Sequence, residues 1–203
     1  LSEDDIARLA HLTELKTEQL PAVSWNAIFD SEEWEKSFSR ASSPLPALTQ
    51  VDLSGQLDAT EYLEQMVAQQ FSQSWEQDSS TLEGHLKTLQ ERPLTAEVLR
   101  ALLLAEQRLS EANQLLKRAT GSETCLSVDE PAWLTTLAQH SQQWLTSINR
   151  LIDIHPVSPP EAVNEYQSAW LSMSNPEAPW QQFQKEWEAH KQLKASFKHC
   201  ASD

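Results

Sequence analysis

Three glycines in 203 residues leave this chain almost without the residue that tight hairpins and phosphate-cradling loops use for positive φ or close backbone approach. That excludes a turn-rich all-β fold, and Gly55, Gly84 and Gly121 stand too far apart to build a Gly-rich phosphate loop. Cysteine is scarcer still. Cys125 and Cys200 match no CxxC or CxxCH pattern, which argues against a zinc ribbon, a thioredoxin-type redox motif and haem attachment. Long apolar runs are missing as well: none approaches the ~20 residues needed to cross a bilayer, and no basic stretch leads into an apolar one as in a signal peptide.

Positive charge is also short. Lys and Arg number 15 against 30 Asp and Glu, a formal charge of −15. Such a chain repels phosphate backbones and anionic lipid surfaces, so nucleic acid is not an expected ligand. The same charge serves solubility and also suits a basic protein partner. What is present is leucine and 8 Trp, which supply large apolar areas despite a hydrophobic fraction of 39%. A disordered chain is therefore a poor reading, and at this length roughly 70% of the unfolded surface can be buried in one core.

No segment sustains period-two alternation, so a sheet is expected to be absent or minor, and no repeat of solenoid length occurs. Apolar residues instead recur at helical spacing. Ser2 caps an opening helix with Glu3, Asp4 and Asp5 in its first turn and Ile6, Leu9, Leu12 and Leu15 along it, and Pro21 is expected to close it. A short second helix covers Ser31 to Arg40, with Trp34 and Phe38 on one face. Residues 41–55, with Pro44 and Pro46, read as a long connector within a single domain of residues 1–203.

Asp58 and Glu61 resemble a capping box for a helix whose stripe is Leu63, Met66, Val67, Phe71, Ser74 and Trp75. After Asp78, Ser79 and Ser80, another places Leu82, Leu86 and Leu89 on one side until Pro93. The next begins near Thr95 and carries Val98, Leu99, Leu102, Leu103, Leu109, Ala112, Leu115 and Leu116, with Gly121 as its C-terminal cap. Asp129, Glu130 and Pro131 open a long helix buried through Trp133, Leu134, Leu137, Trp144, Leu145, Ile148, Leu151 and Ile152. Ser158 and Glu161 form a capping box ahead of Val163, Tyr166, Trp170 and Leu171. Asn175 and Pro176 start a last helix with Trp180, Phe183, Trp187 and Phe197. The expected fold is all-α, an irregular or up-and-down bundle of about eight helical segments.

The chemistry such bundles host has little purchase here. Inward Glu-x-x-His pairs are absent, and His11 with Glu14 and Glu186 with His190 supply one-turn spacing but too few ligands for a two-metal site. No metal or cofactor is expected, and no G-x-S-x-G elbow marks a nucleophile. Cys200 beside His199 suggests a thiol and base, but adjacent residues seldom face each other, so a bridge to Cys125 or an inert thiol is the simpler reading. Trp75, Trp133, Trp144 and Trp187 fall on helical stripes and belong to the core. Trp25 and Trp180, near segment starts and beside polar residues, are the aromatics expected to be partly exposed for a partner. His140 and His155 are lone histidines at a core margin, and His155 precedes Pro156 in a loop.

Two stretches carry a resemblance, Leu20-Pro21-Ala22-Val23-Ser24-Trp25-Asn26 and the run Trp180, Phe183, Trp187, His190, Leu193 and Cys200, and the helix from Leu99 through Leu116 to Cys125 is broadly similar. They resemble the C-terminal part of an uncharacterised lipoprotein family of Gammaproteobacteria, domain of unknown function 3080. The resemblance implies cover over most of the chain, a signal peptide and lipidated Cys ahead of Leu1, and a place in the periplasm. It implies no catalytic residues. Leu1 to Leu15 is also similar to the N-terminal helix of the small subunit of the bacterial tRNA-dependent amidotransferase, which covers too little of the chain to adopt.

Functionally, the expectation is a non-enzymatic periplasm-facing helical domain of a lipoprotein, touching the membrane only through a lipid anchor outside these residues and binding another envelope protein. One alternative is a hydrolase or lyase whose acids assemble only in three dimensions; it requires a pocket with convergent Asp, Glu or His. The other is a cytoplasmic acidic adaptor or immunity-like protein that neutralises a basic partner.

Overall fold

A computed structural model describes residues 2–39, 42–46, 51–72, 78–119, 125–126 and 131–199. The chain is all-α. It divides into two compact units, each drawn from three separate stretches: residues 1–39, 53–93 and 147–160 in the first, and 40–52, 94–146 and 161–203 in the second.

In the first unit, α1 spans Glu3–Phe29. Its start follows the sequence: Ser2 Oγ accepts from the Asp5 amide at 3.2 Å while the Asp5 carboxylate accepts from the Ser2 amide at 3.0 Å, a complete capping box. Its end does not, because Pro21 lies inside the helix rather than closing it. An interior proline removes one backbone bond and costs about 3 kcal/mol. The helix continues because the turns beyond it bury Ser24, Trp25 and Ile28, and packing outweighs the local penalty.

Helix α2 covers Glu32–Ser37, shorter than expected, with Ser31 capping the Trp34 amide at 3.1 Å. Helix α3 spans Ser54–Gln69 and begins four residues before Asp58, so Asp58 and Glu61 sit within it and form no box at its start. Burial of Leu53 sets that start instead; no side chain caps it. Of the stripe expected on α3, Leu63, Met66 and Val67 are buried and Phe71 is exposed, while Ser74 and Trp75 lie outside the described residues. Helix α4, Ser79–Glu91, is capped by Asp78, which accepts from the Ser80 amide and the Thr81 hydroxyl. Cross-links within this unit include Thr60 to Ser147 at 2.5 Å and a Glu64–Arg150 ion pair at 2.8 Å.

In the second unit, α5 spans Leu94–Ala119 and buries Leu94, Val98, Leu102, Ala105, Leu109 and Asn113 along one face. Leu103 and Leu115, expected on that face, are exposed. Gly121, Asp129 and Glu130 lie outside the described residues. Helix α6, Ala132–Ile154, alternates threes and fours along Leu134, Leu137, Ser141, Trp144, Ile148 and Leu151, with Leu145 and Ile152 beside them, all buried. Its residues to Thr146 belong to the second unit and the rest to the first.

Helix α7, Glu161–Tyr166, passes into a π-helical segment, Gln167–Leu171. That wider turn shifts the period, so Leu171 is buried but Tyr166 and Trp170 are exposed instead of joining a stripe. Helix α8 spans Pro179–Ala195, starting at Pro179 and not at Asn175, whose side chain instead accepts from the Glu177 amide in a preceding turn. The expected minor sheet is a parallel pair of two residues each, β1 (Cys125–Leu126) and β2 (Lys198–His199). No described helix is long and apolar enough to cross a membrane.

Candidate functional site

Two places in the structure gather chemically able side chains, one in each unit. The first is a sealed polar cluster. Ser24 of α1 lies with its hydroxyl 3.0 Å from His155 Nε2, just beyond α6, and 3.1 Å from Gln70 Oε1, just beyond α3. Trp25, Phe29 and Trp34 pack around it, with Trp25 and Phe29 meeting the imidazole edge-on at 5.1 and 5.7 Å.

A serine against a histidine looks like a nucleophile and its base, but the proton positions deny it. The Val157 amide donates to His155 Nδ1 at 3.1 Å, so Nδ1 carries the lone pair and Nε2 carries the hydrogen in the neutral ring. The histidine therefore donates to Ser24 rather than taking its proton, and Ser24 passes its own hydrogen to Gln70 or to the Pro21 carbonyl. Burial pushes the imidazole pKa below the usual histidine value, favouring this neutral form. Ser24, Gln70 and His155 are all buried, out of reach of a substrate. The cluster fastens α1 to the ends of two other helices.

Glu64 on α3 is buried, and desolvation raises its pKa while Arg150 opposes the shift. In the second unit, Asn113 is buried on α5 and joins both members of the Glu186 and His190 pair on α8: its amide donates to the Glu186 carboxylate at 3.0 Å and its oxygen lies 2.9 Å from His190 Nδ1. That pair is thus an interhelical clamp. No group of three or more metal-ligating side chains occurs among the described residues.

The second place is a cavity of about 300 Å³ in the second unit. One wall is Ala101, Leu104, Ala105 and Arg108 of α5, and the facing wall is Trp133, Thr136, Leu137 and His140 of α6. Both sets follow i, i+3, i+4, i+7, the spacing of a single helix face. The connector residues Pro44, Leu45 and Pro46 close it, and the Leu45 amide donates to the Glu97 carbonyl at 3.0 Å. Among the described residues no carboxylate lines this cavity, so they bring together none of the convergent acids that a dispersed hydrolytic site needs.

The residues singled out in the sequence fall differently. Trp25 and Trp180, expected at the surface, are 6% and 8% exposed: Trp25 belongs to the sealed cluster and Trp180 packs beside Phe183. Trp180, at the start of α8, points inward because the following turns are its core face, and Trp25 lies in the last turns of α1, the part of that helix that is buried. The large apolar side chains in water are elsewhere: Ile6, Leu9 and Leu12 of α1 are each more than half exposed, and Tyr166 stacks on Trp170 at the surface. Cys125, in β1, is not a free thiol, and Cys200 lies outside the described residues.

The family model described as Protein of unknown function (DUF3080) matches residues 2–135. That span takes in the stretches Leu20–Asn26 and Leu99–Cys125, and stops before the run from Trp180 to Cys200. No curated protein and no solved structure matches the chain.

Proposed function

This chain belongs to the family described as Protein of unknown function (DUF3080), and from that premise we propose that it is a non-enzymatic, periplasm-facing domain of a bacterial lipoprotein that binds another envelope protein. The observation that carries the reading is α1: every residue from Glu3 to Gln19 is exposed, Ile6, Leu9, Leu12 and Leu15 included. Burying one such side chain is worth about 1.5–3 kcal/mol, which this helix leaves ungained and a partner recovers. The stretch holds Glu3, Asp4, Asp5, Glu14 and Glu18 against Arg8 and Lys16, so the partner surface carries basic residues around its apolar contact. In an oxidising periplasm Cys125 and Cys200 form one bridge, worth roughly 2–4 kcal/mol.

A photo-crosslinking residue at Leu12, introduced in cells carrying the full encoded protein, tests the reading. The expected result is one discrete adduct with an envelope protein in the membrane fraction, lost when the Ile6→Asp/Leu9→Asp substitutions are added beside the crosslinker. An adduct unaffected by those substitutions, or protein confined to the cytosol with two free thiols, overturns it.

A further inference from the structure

The cavity of the second unit has a direction. Trp144 Nε1–H donates to Thr95 Oγ1 at 3.1 Å, joining the middle of α6 to the start of α5, while the later residues 101–108 of α5 face the earlier residues 133–140 of α6, so the two helix faces run antiparallel. Arg108 therefore stands with Trp133 at one end, and His140 with Ala101 at the other, about 10 Å apart along the helices. Between them the walls are Leu104, Ala105 and Leu137. The hollow exists because alanines occupy 101 and 105, on a helix that elsewhere presents leucines.

The chain carries 30 acids, yet among the described residues this cavity is lined by an arginine and a histidine and by no acid. The described lining thus brings a cation and no fixed negative charge to an apolar hollow, in contrast to the negative charge of the molecule as a whole. Glu111 accepts from one guanidinium nitrogen of Arg108 at 2.8 Å but does not line the cavity. A guanidinium offers five N–H donors in a fork, which leaves an edge for a second carboxylate.

We infer that this cavity binds a small organic acid with an apolar body, its single carboxylate on Arg108 and its chain along Leu104, Ala105 and Leu137. A volume of about 300 Å³ is at the lower end for ligand sites, and suits a body of about eight carbons. The connector leucine, Leu45, held between its prolines, closes over that body. The ligand site is independent of the α1 surface and stands whether or not α1 has a partner.

Sodium octanoate titrated into the 203-residue chain tests this, read by calorimetry and by the Trp133 indole NMR signal, assigned with Trp133→Phe. The neutral 1-octanol, of equal length, is titrated in parallel. Octanoate is expected to bind once per chain and at least fivefold more tightly than octanol. Arg108→Gln should bring octanoate down to the octanol level, and Leu104→Glu, at a partly exposed rim position, should abolish octanoate binding. Circular dichroism checks each variant's fold; should Leu104→Glu unfold, the Arg108→Gln and octanol comparisons decide. No saturable binding up to millimolar octanoate, an unmoved Trp133 signal, or equal affinity in wild type and Arg108→Gln overturns the site.

Discussion

Helices α1 and α6 are alike in length, 27 and 23 residues, and both carry many aliphatic side chains, yet they meet water in opposite ways. From Glu3 to Gln19 all of α1 is exposed, whereas α6 buries Trp144, Leu145, Ile148 and Leu151 completely. The difference lies in spacing. Ile6, Leu9, Leu12 and Leu15 recur every three residues, and each step of three falls about 60° short of a turn, so the four spread over half the helix circumference. Along α6 the steps alternate between three and four and stay on one face. Similar apolar content thus gives a helix with one buried face in one case and, in the other, a helix whose first seventeen residues stay in water.

Four experiments break or sharpen that contrast. The largest effect belongs to α6: Trp144→Ala removes a fully buried ring and its bond to Thr95, and should lower stability by about 3–5 kcal/mol in urea unfolding. A loss under 1 kcal/mol would mean that α6 is not a core helix. Next comes the inner end of α1. Ser24→Ala leaves the His155 N–H and the Gln70 oxygen buried without their partner, and should cost about 1–3 kcal/mol by the same measurement.

The same cluster predicts a pH response. His155 has its folded pKa below the ordinary 6.5, so the unfolded chain takes up the proton first. Its contribution is complete above about pH 6.5 and is lost as pH falls toward the lower folded value, so the melting temperature should drop on acidification. His155→Gln should flatten that part of the profile, and an unchanged slope would refute the assignment. The smallest effect belongs to outer α1: Leu9→Ala and Leu12→Ala should each change stability by no more than about 0.5 kcal/mol. A loss above 1 kcal/mol would show this stretch to be packed and would end the contrast.

The helical class was legible because most core residues fall at steps of three and four, and the capping residues Ser2, Ser31 and Asp78 start the helices they announce. Local rules failed where burial overrode them. Pro21 does not end α1 because Trp25 and Ile28 bury the turns beyond it, and Asp58 does not start α3 because Leu53 anchors an earlier turn. Tyr166 and Trp170 kept an apparent stripe that the π-helical turn moves into water. Neither candidate site could be read from the sequence. Ser24 and His155 are 131 positions apart, and the cavity needs three separated stretches, its one local hint being alanines at 101 and 105 on a leucine face.

Pro21 marks where the exposed part of α1 gives way to the part held by Ser24 and His155. Having no amide hydrogen, it leaves the Thr17 carbonyl without its helical donor, so the rod is weakest at its point of emergence. The seventeen residues from Glu3 to Gln19 then form a boom about 25 Å long mounted on a joint one hydrogen bond short. Replacing that proline with alanine would stiffen the mounting and narrow the volume of solution the tip sweeps, which for the partner proposed above would slow the first encounter more than it changes the grip afterwards.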